Sequence, residues 1–259
     1  MLTEAQQEKW HQDGYLRLEG FFDATARERI SNLVDEVGRW NVSDDKWMMW
    51  FEKTKEDRKI ISKVENFLDY NDALREALLA DGRIRSAVET LLDEDTRMLK
   101  ELLIFKYPDS GGYRPHQDIY HIPHKIPDRM VHAVVAIGID DSDPNNGGLF
   151  FTPGRHKEGV FPMNKGGVID TEVADTFTWE PTPWKAGDIF IFDDYAPHYS
   201  EPNKSDRSRR TLYLVFQRAS TGGPTRAEYN RMKRAYNPPE GKVADMDNLK
   251  VSNGIFYRD

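Results

Sequence analysis

The chain has 259 residues, with 38% hydrophobic and 12% aromatic side chains for a sizeable core and 31% charged residues for a water-facing surface. Its formal net charge of −8 disfavours nucleic acid as a partner, because binding to phosphates without regard to sequence needs a basic footprint. Cysteine is absent, which excludes disulfides, thiolate metal ligands and a cysteine nucleophile together.

The first residues after Met1 are polar and acidic, and no run of about eighteen apolar residues occurs anywhere, so the reading is a soluble, cytoplasmic protein without a membrane partner. Thr3 with Gln6 predicts a capping box opening a helix to about His11. Tyr15 to Leu18 alternates as a strand, and Ile30, Leu33, Val34 and Val37 predict a helix from Asp23 or Ala24 to Trp40. The cluster Trp47-Met48-Met49-Trp50-Phe51 reads either as an apolar lid or as packing against the core. The charged run Glu52 to Lys59 has no clear element. Helices are expected over Asp72–Leu79 and Ile84–Leu92.

Beyond Met98 the pattern changes to short apolar or β-branched runs bounded by Pro, Gly and Asp. Strands are predicted at 102–107, 131–139, 149–152, 188–192 and 211–217, followed by a basic helix over 225–236. This order predicts a mainly β single domain over 1–259: a helical N-terminal part (1–97), an antiparallel jelly-roll core (about 98–220), and a C-terminal helix and tail (221–259).

Three residues carry the chemistry. His116 and Asp118 stand at i and i+2, so a strand end presents both on one face. In a jelly roll, His198 returns across the barrel mouth after the strand Asp188–Phe192. Two imidazoles and one carboxylate form the facial triad that holds non-haem Fe(II) and leaves open positions for substrate chemistry. A His-x-Asp pair alone is weak among 7 histidines and 44 acidic residues. The weight comes from Pro115-His116, Pro197-His198 and the following Arg209 together. A guanidinium suits the distal carboxylate of 2-oxoglutarate, and the Ser200 hydroxyl can share it. Arg209 and Arg210 point to opposite faces of a strand, so only one faces the interior. His132 is expected to be a hydrogen-bonded core imidazole, and His11 and His156 structural.

Tyr113-Arg114-Pro115-His116-Gln117-Asp118, Asn145-Asn146-Gly147-Gly148-Leu149, Pro153-Gly154-Arg155-His156-Lys157, Gly187-Asp188 and His198-x-Ser200 with Arg209-Arg210 resemble the phytanoyl-CoA dioxygenase family. So does the opening Trp10-His11-Gln12-Asp13-Gly14-Tyr15. The resemblance spans about residues 2–218 and implies a cupin-like double-stranded β-helix. It assigns His116, Asp118 and His198 to iron(II), and Arg209 and Ser200 to 2-oxoglutarate. O2 is then consumed to give succinate, CO2 and an oxidised small molecule. An intact Asp118 favours hydroxylation, desaturation or cyclisation over halogenation. Relatives often carry polar residues on the strand before the first histidine; here Leu102 and Ile104 stand there, leaving Lys106 as a candidate cosubstrate contact.

For the substrate, Glu65-Asn66-Phe67, Lys100-Glu101 through Lys106 and Tyr229-x-x-x-Lys233-Arg234 look like a branch that includes hydroxylases of small aminophosphonates and tailoring enzymes of natural products. Tyr120, His121 and Arg129, with Lys125, are candidate substrate residues by position. The expected substrate is a small polar or amphipathic metabolite such as an aminophosphonate, amino acid or natural-product intermediate. The alternatives are a cupin-type metal oxygenase that needs no 2-oxoglutarate and a non-catalytic protein that binds metal or 2-oxoglutarate.

Overall fold

The structure is a computed structural model that describes residues 2–121, 132–164, 166–236, 239 and 256–257. In chain order its elements are α1 (Glu4–Asp13), β1 (Tyr15–Leu18), α2 (Ala24–Gly38), β2 (Met48–Lys53), β3 (Lys59–Glu65), α3 (Asp72–Leu79), α4 (Arg83–Leu92) and β4 (Thr96–Lys106). Then come β5 (Gly112–His116), β6 (His132–Gly138), β7 (Leu149–Phe151), α5 (Thr171–Ala174), β8 (Glu180–Pro181) and β9 (Ile189–Asp193). The last are β10 (His198–Ser200), β11 (Arg209–Arg218), α6 (Arg226–Tyr236) and β12 (Phe256–Tyr257).

Among the described residues the strands form two antiparallel sheets of a jelly roll. The large sheet runs β1-β9-β6-β11-β4-β3-β2 and the small one β12-β5-β10-β7-β8. Alternation divides the large sheet into two faces. Ile189 and Ile191 of β9, Val135 and Ile137 of β6, and Leu212 and Leu214 of β11 pack with Ile30, Val34, Leu74 and Val88 from the helices. Their neighbours Phe190, Phe192, Val134, Ala136, Tyr213 and Val215 turn into the roll and meet Leu149 and Phe151 of the small sheet. Every residue of β6 and β9 is buried, as expected of strands covered on both faces.

The helix starts follow the sequence. Thr3 and Gln6 form the reciprocal capping box of α1, and the Asp23 side chain accepts from the amide of Ala26 at the start of α2. The N-terminal part departs from the expectation of a helical segment, because β2 and β3 join the large sheet along with the expected strand β1. The Trp47–Phe51 cluster is therefore mostly edge strand, with β2 paired to β3 in a hairpin. The charged run Glu52 to Lys59 ends β2, makes the turn over 54–58 and begins β3. His132 is fully buried, and its Nδ1 lies 2.8 Å from Oδ2 of Asp194.

Candidate metal centre and cavity

β5 and β10 are neighbours in the small sheet, and His116 faces His198 directly in their register. The two imidazole centroids are 4.2 Å apart. Just past β5 the chain enters the short 3-10 helix Asp118–His121, which brings Oδ1 of Asp118 to 3.6 Å from Nε2 of His116 and 3.9 Å from Nε2 of His198. One donor atom from each of the three lies within 4.8 Å of the others.

Second contacts fix the imidazoles. Nδ1 of His116 is 2.7 Å from the Arg114 carbonyl, and Nδ1 of His198 is 3.0 Å from the Ala196 carbonyl. A carbonyl only accepts, so each Nδ1 carries a proton, which leaves each Nε2, on the Asp118 side, as the nitrogen a metal would take. That tautomer is the one a metal-ligating histidine adopts. Phe151 stacks on His198 with centroids 5.2 Å apart, and Phe192 meets the same ring edge-on at 5.0 Å.

The segment bearing Asp118 is pinned from both sides. The Gln117 side chain donates to the carbonyls of Gly159 (2.8 Å) and Tyr195 (2.6 Å) and accepts from the Phe161 amide (2.9 Å). The Ile119 amide donates to the Asp194 carbonyl at 3.0 Å. Two imidazoles and one carboxylate, converging from a partly open side, fit the donor set and geometry of a mononuclear non-haem iron(II) site.

β11 decides between the two arginines. Arg209, Thr211 and Tyr213 share the inner face, whereas Arg210 lies with Leu212 on the helix side. Arg210 is engaged there by Asp140, at 2.7 and 2.9 Å, by the Ser31 hydroxyl at 3.0 Å, and by Asp35 of α2. Arg209 is 1% exposed and lines the cavity. Its Nη1 donates to the Thr211 hydroxyl at 2.8 Å, while its Nε is buried with no hydrogen-bond partner among the described residues. A buried guanidinium with an unsatisfied N–H fits the carboxylate of a dicarboxylic acid.

Ser200, fully buried, lines the same cavity. Lys106 does not line it, contrary to the expectation that it contacts the cosubstrate. Its Nζ donates to the Ser200 hydroxyl (2.8 Å), to the Gly147 carbonyl (3.1 Å) and to the Glu201 carbonyl. Those three bonds commit its three protons. Burial, with Arg209 beside it, holds its pKa well below the usual lysine range. Lys106 therefore positions Ser200. Tyr120 and His121 fall in the short helix after Asp118, and Lys125 and Arg129 lie outside the described residues.

The cavity has a volume of about 100 Å³ and opens to solvent on one side. Leu102, Ile104, Val134, Leu149 and Phe192 supply an apolar wall beside the triad, with Tyr113 and Tyr213. Burial raises both phenols, which therefore stay protonated. Lys63, Glu65, Lys100 and Lys233 line the remaining side. Lys63 was not singled out from the sequence, and the other three were noted only through family likeness. The available signal was charge at alternate positions of strands that are otherwise apolar: Lys63 and Glu65 in β3, and Lys100 in line with Leu102 and Ile104 in β4.

Comparison with known proteins was made with this geometry in hand. The family model described as phytanoyl-CoA dioxygenase matches residues 10–211. A methylphosphonate hydroxylase from Gimesia maris is 37% identical, covering 90% of this chain and 87% of that protein. A 2-aminoethylphosphonate dioxygenase from an uncultured bacterium, HF130_AEPn_1, is 31% identical over 98% and 96%. Among solved structures, EctD from S. alaskensis with 2-oxoglutarate and 5-hydroxyectoine superposes with a TM-score of 0.73 at 21% identity, covering 86% of this chain and 78% of that one.

Proposed function

The chain belongs to the phytanoyl-CoA dioxygenase family and is a 2-oxoglutarate-dependent non-haem iron dioxygenase, and we propose that it hydroxylates a small phosphonate. His116, Asp118 and His198 hold iron(II), and Arg209 with Ser200 holds the distal carboxylate of 2-oxoglutarate. The observation that carries this reading is the convergence of the three ligands in one cavity, in a chain 37% identical to a methylphosphonate hydroxylase.

When bound, the iron supplies the activation of O2 that couples conversion of 2-oxoglutarate to succinate and CO2 with insertion of the second oxygen atom into a substrate C–H bond. The protein's part is placement. Nδ1–H donation to two backbone carbonyls fixes the ring orientation of His116 and His198. Lys106 holds Ser200, and β11 alternation aims Arg209 inward. The apolar wall of Leu102, Ile104, Val134 and Phe192 limits water around the reacting carbon. The unsatisfied Nε of Arg209 favours this reading over an oxygenase that needs no 2-oxoglutarate.

The test is to supply Fe(II), 2-oxoglutarate and O2 with methylphosphonate or 2-aminoethylphosphonate, following the phosphonate by phosphorus NMR and succinate by chromatography. One hydroxylated phosphonate per succinate is expected. Phosphonates left intact while another compound class is oxidised in step with succinate would remove the substrate assignment.

A further inference from the structure

The lysine side of the cavity has an arrangement that the triad and Arg209 do not explain. Lys63 and Glu65 lie on β3 opposite Ile104 and Leu102 of β4, and Lys100 follows on the same face of β4. Arg209 pairs with Lys106, so Glu65 sits about 13 Å along the strand from the proposed cosubstrate anchor. Lys233 reaches the same place from α6. The ammonium of Lys63 is 3.0 Å from Oε1 of Glu65, and that of Lys233 is 3.8 Å from it. Lys63 also lies over the Trp50 ring, 4.2 Å from its centroid. Lys63, Glu65 and Lys233 are each less than a tenth exposed.

Among the described residues, three lysines surround one carboxylate at a largely buried end of the cavity, an excess of positive charge that an anion would offset. Lys100 makes no ion pair with any carboxylate among the described residues; its ammonium lies over the Tyr229 ring, 5.4 Å from the centroid. Oε2 of Glu65 is buried with no hydrogen-bond partner among the described residues. That oxygen offers an acceptor to a head group that still carries one proton. A phosphonate can answer either feature: doubly ionised it brings two negative charges, and singly ionised it brings one charge with a P–OH to donate. An ionised carboxylate has one charge and no proton to donate.

We infer that Lys63, Lys100 and Lys233, set around Glu65, form the socket for the substrate's phosphonate group. Its short carbon chain then lies along Leu102 and Ile104 toward the triad. The socket rests on the phosphonate reading of the function and adds where and by what the group is held. One of its members, Lys233, lies beyond the 10–211 span of the family match. The helix that carries it is fastened to the roll by Arg226, whose Nε donates to Glu101 of β4 at 2.7 Å and whose Nη1 meets Asp69.

The test is calorimetric titration of the anaerobic protein, loaded with Fe(II) and 2-oxoglutarate, with methylphosphonate, inorganic phosphate and acetate. Variants are used only where the charge-transfer band of the loaded site persists. Methylphosphonate is expected to bind and acetate to bind at least about tenfold more weakly. Lys100→Met and Lys233→Met should each weaken methylphosphonate about ten- to a hundredfold, the worth of a charge-assisted hydrogen bond, and Lys100→Arg should restore most of it. Wild-type affinity in both Met variants overturns the socket, as does acetate binding as tightly as methylphosphonate or the absence of any binding by the wild-type protein. Lysine-dependent binding of methylphosphonate without hydroxylation of any phosphonate removes the functional reading and leaves the socket. Hydroxylation that persists with unaltered affinity in both Met variants removes the socket and leaves the function.

Discussion

The two ends of the cavity are built on different plans. The end with the triad, Ser200 and Arg209 draws on β5, the short helix after it, β10 and β11, and four of its side chains are held by a hydrogen bond to a neighbour: His116 to Arg114, His198 to Ala196, Ser200 to Lys106, Arg209 to Thr211. The end with Lys63, Lys100 and Lys233 draws on two strands and the C-terminal helix, and it is held by opposed charges around Glu65. Hydrogen-bonded geometry suits chemistry that is the same for every substrate. A charged socket suits recognition of one head group.

The sharpest way to break this contrast is at the triad. Asp118→Ala is expected to reduce turnover of every substrate to background and to abolish the iron-dependent charge-transfer band; retained activity would take Asp118 out of the centre. Next is Arg209→Ala, which should raise the KM for 2-oxoglutarate about ten- to a hundredfold, with a smaller effect on phosphonate binding. Equal effects on both would merge the two ends into one site. Arg226→Met leaves the buried Glu101 without its partner and should lower stability by about 2 kcal/mol, read as a drop in Tm, while loosening α6 toward hydrogen exchange.

The smallest effect is in pH. Burial, opposed by Glu65 and reinforced by Lys233, lowers Lys63 to about 8. Lys63 faces Glu65, Lys233 and Lys100 in the cavity, and the Glu65 carboxylate, held at about 2 chiefly by Lys233 against its burial, stays ionised. An anion binds the protonated lysine, so phosphonate affinity should fall a few-fold as pH rises through about 8. A flat KM for phosphonate between pH 7 and 9 would detach Lys63 from the socket.

The triad end was readable from the chain because its signals are local. Pro115-His116-x-Asp118 and Pro197-His198 each stand at a strand end, and strand parity separates Arg209 from Arg210. Which of the two faces inward was not readable, because it depends on Asp35 and Asp140 claiming Arg210 from outside the roll. Lys106 was misplaced for a related reason: its partners Gly147 and Glu201 come from distant loops. The strands β2 and β3 were missed, and for β3 the reason is the charge set into its pattern. In Lys59–Glu65 the inward positions 63 and 65 are charged, so the period-two signal of a half-buried strand is lost where the cavity needs it broken. Long-range assembly hid the rest of the socket, since Lys63, Lys100 and Lys233 meet only once β3, β4 and α6 are packed.

The fastening of α6 by Arg226 has a consequence for how such a protein diversifies. A single helix, fastened by Arg226, Asn230 and Arg234 and lying beyond the 10–211 span of the family match, delivers Lys233 to the cavity. On the proposed socket, exchanging that helix or shifting its register by one turn would change which head group is held without touching a residue of the triad end.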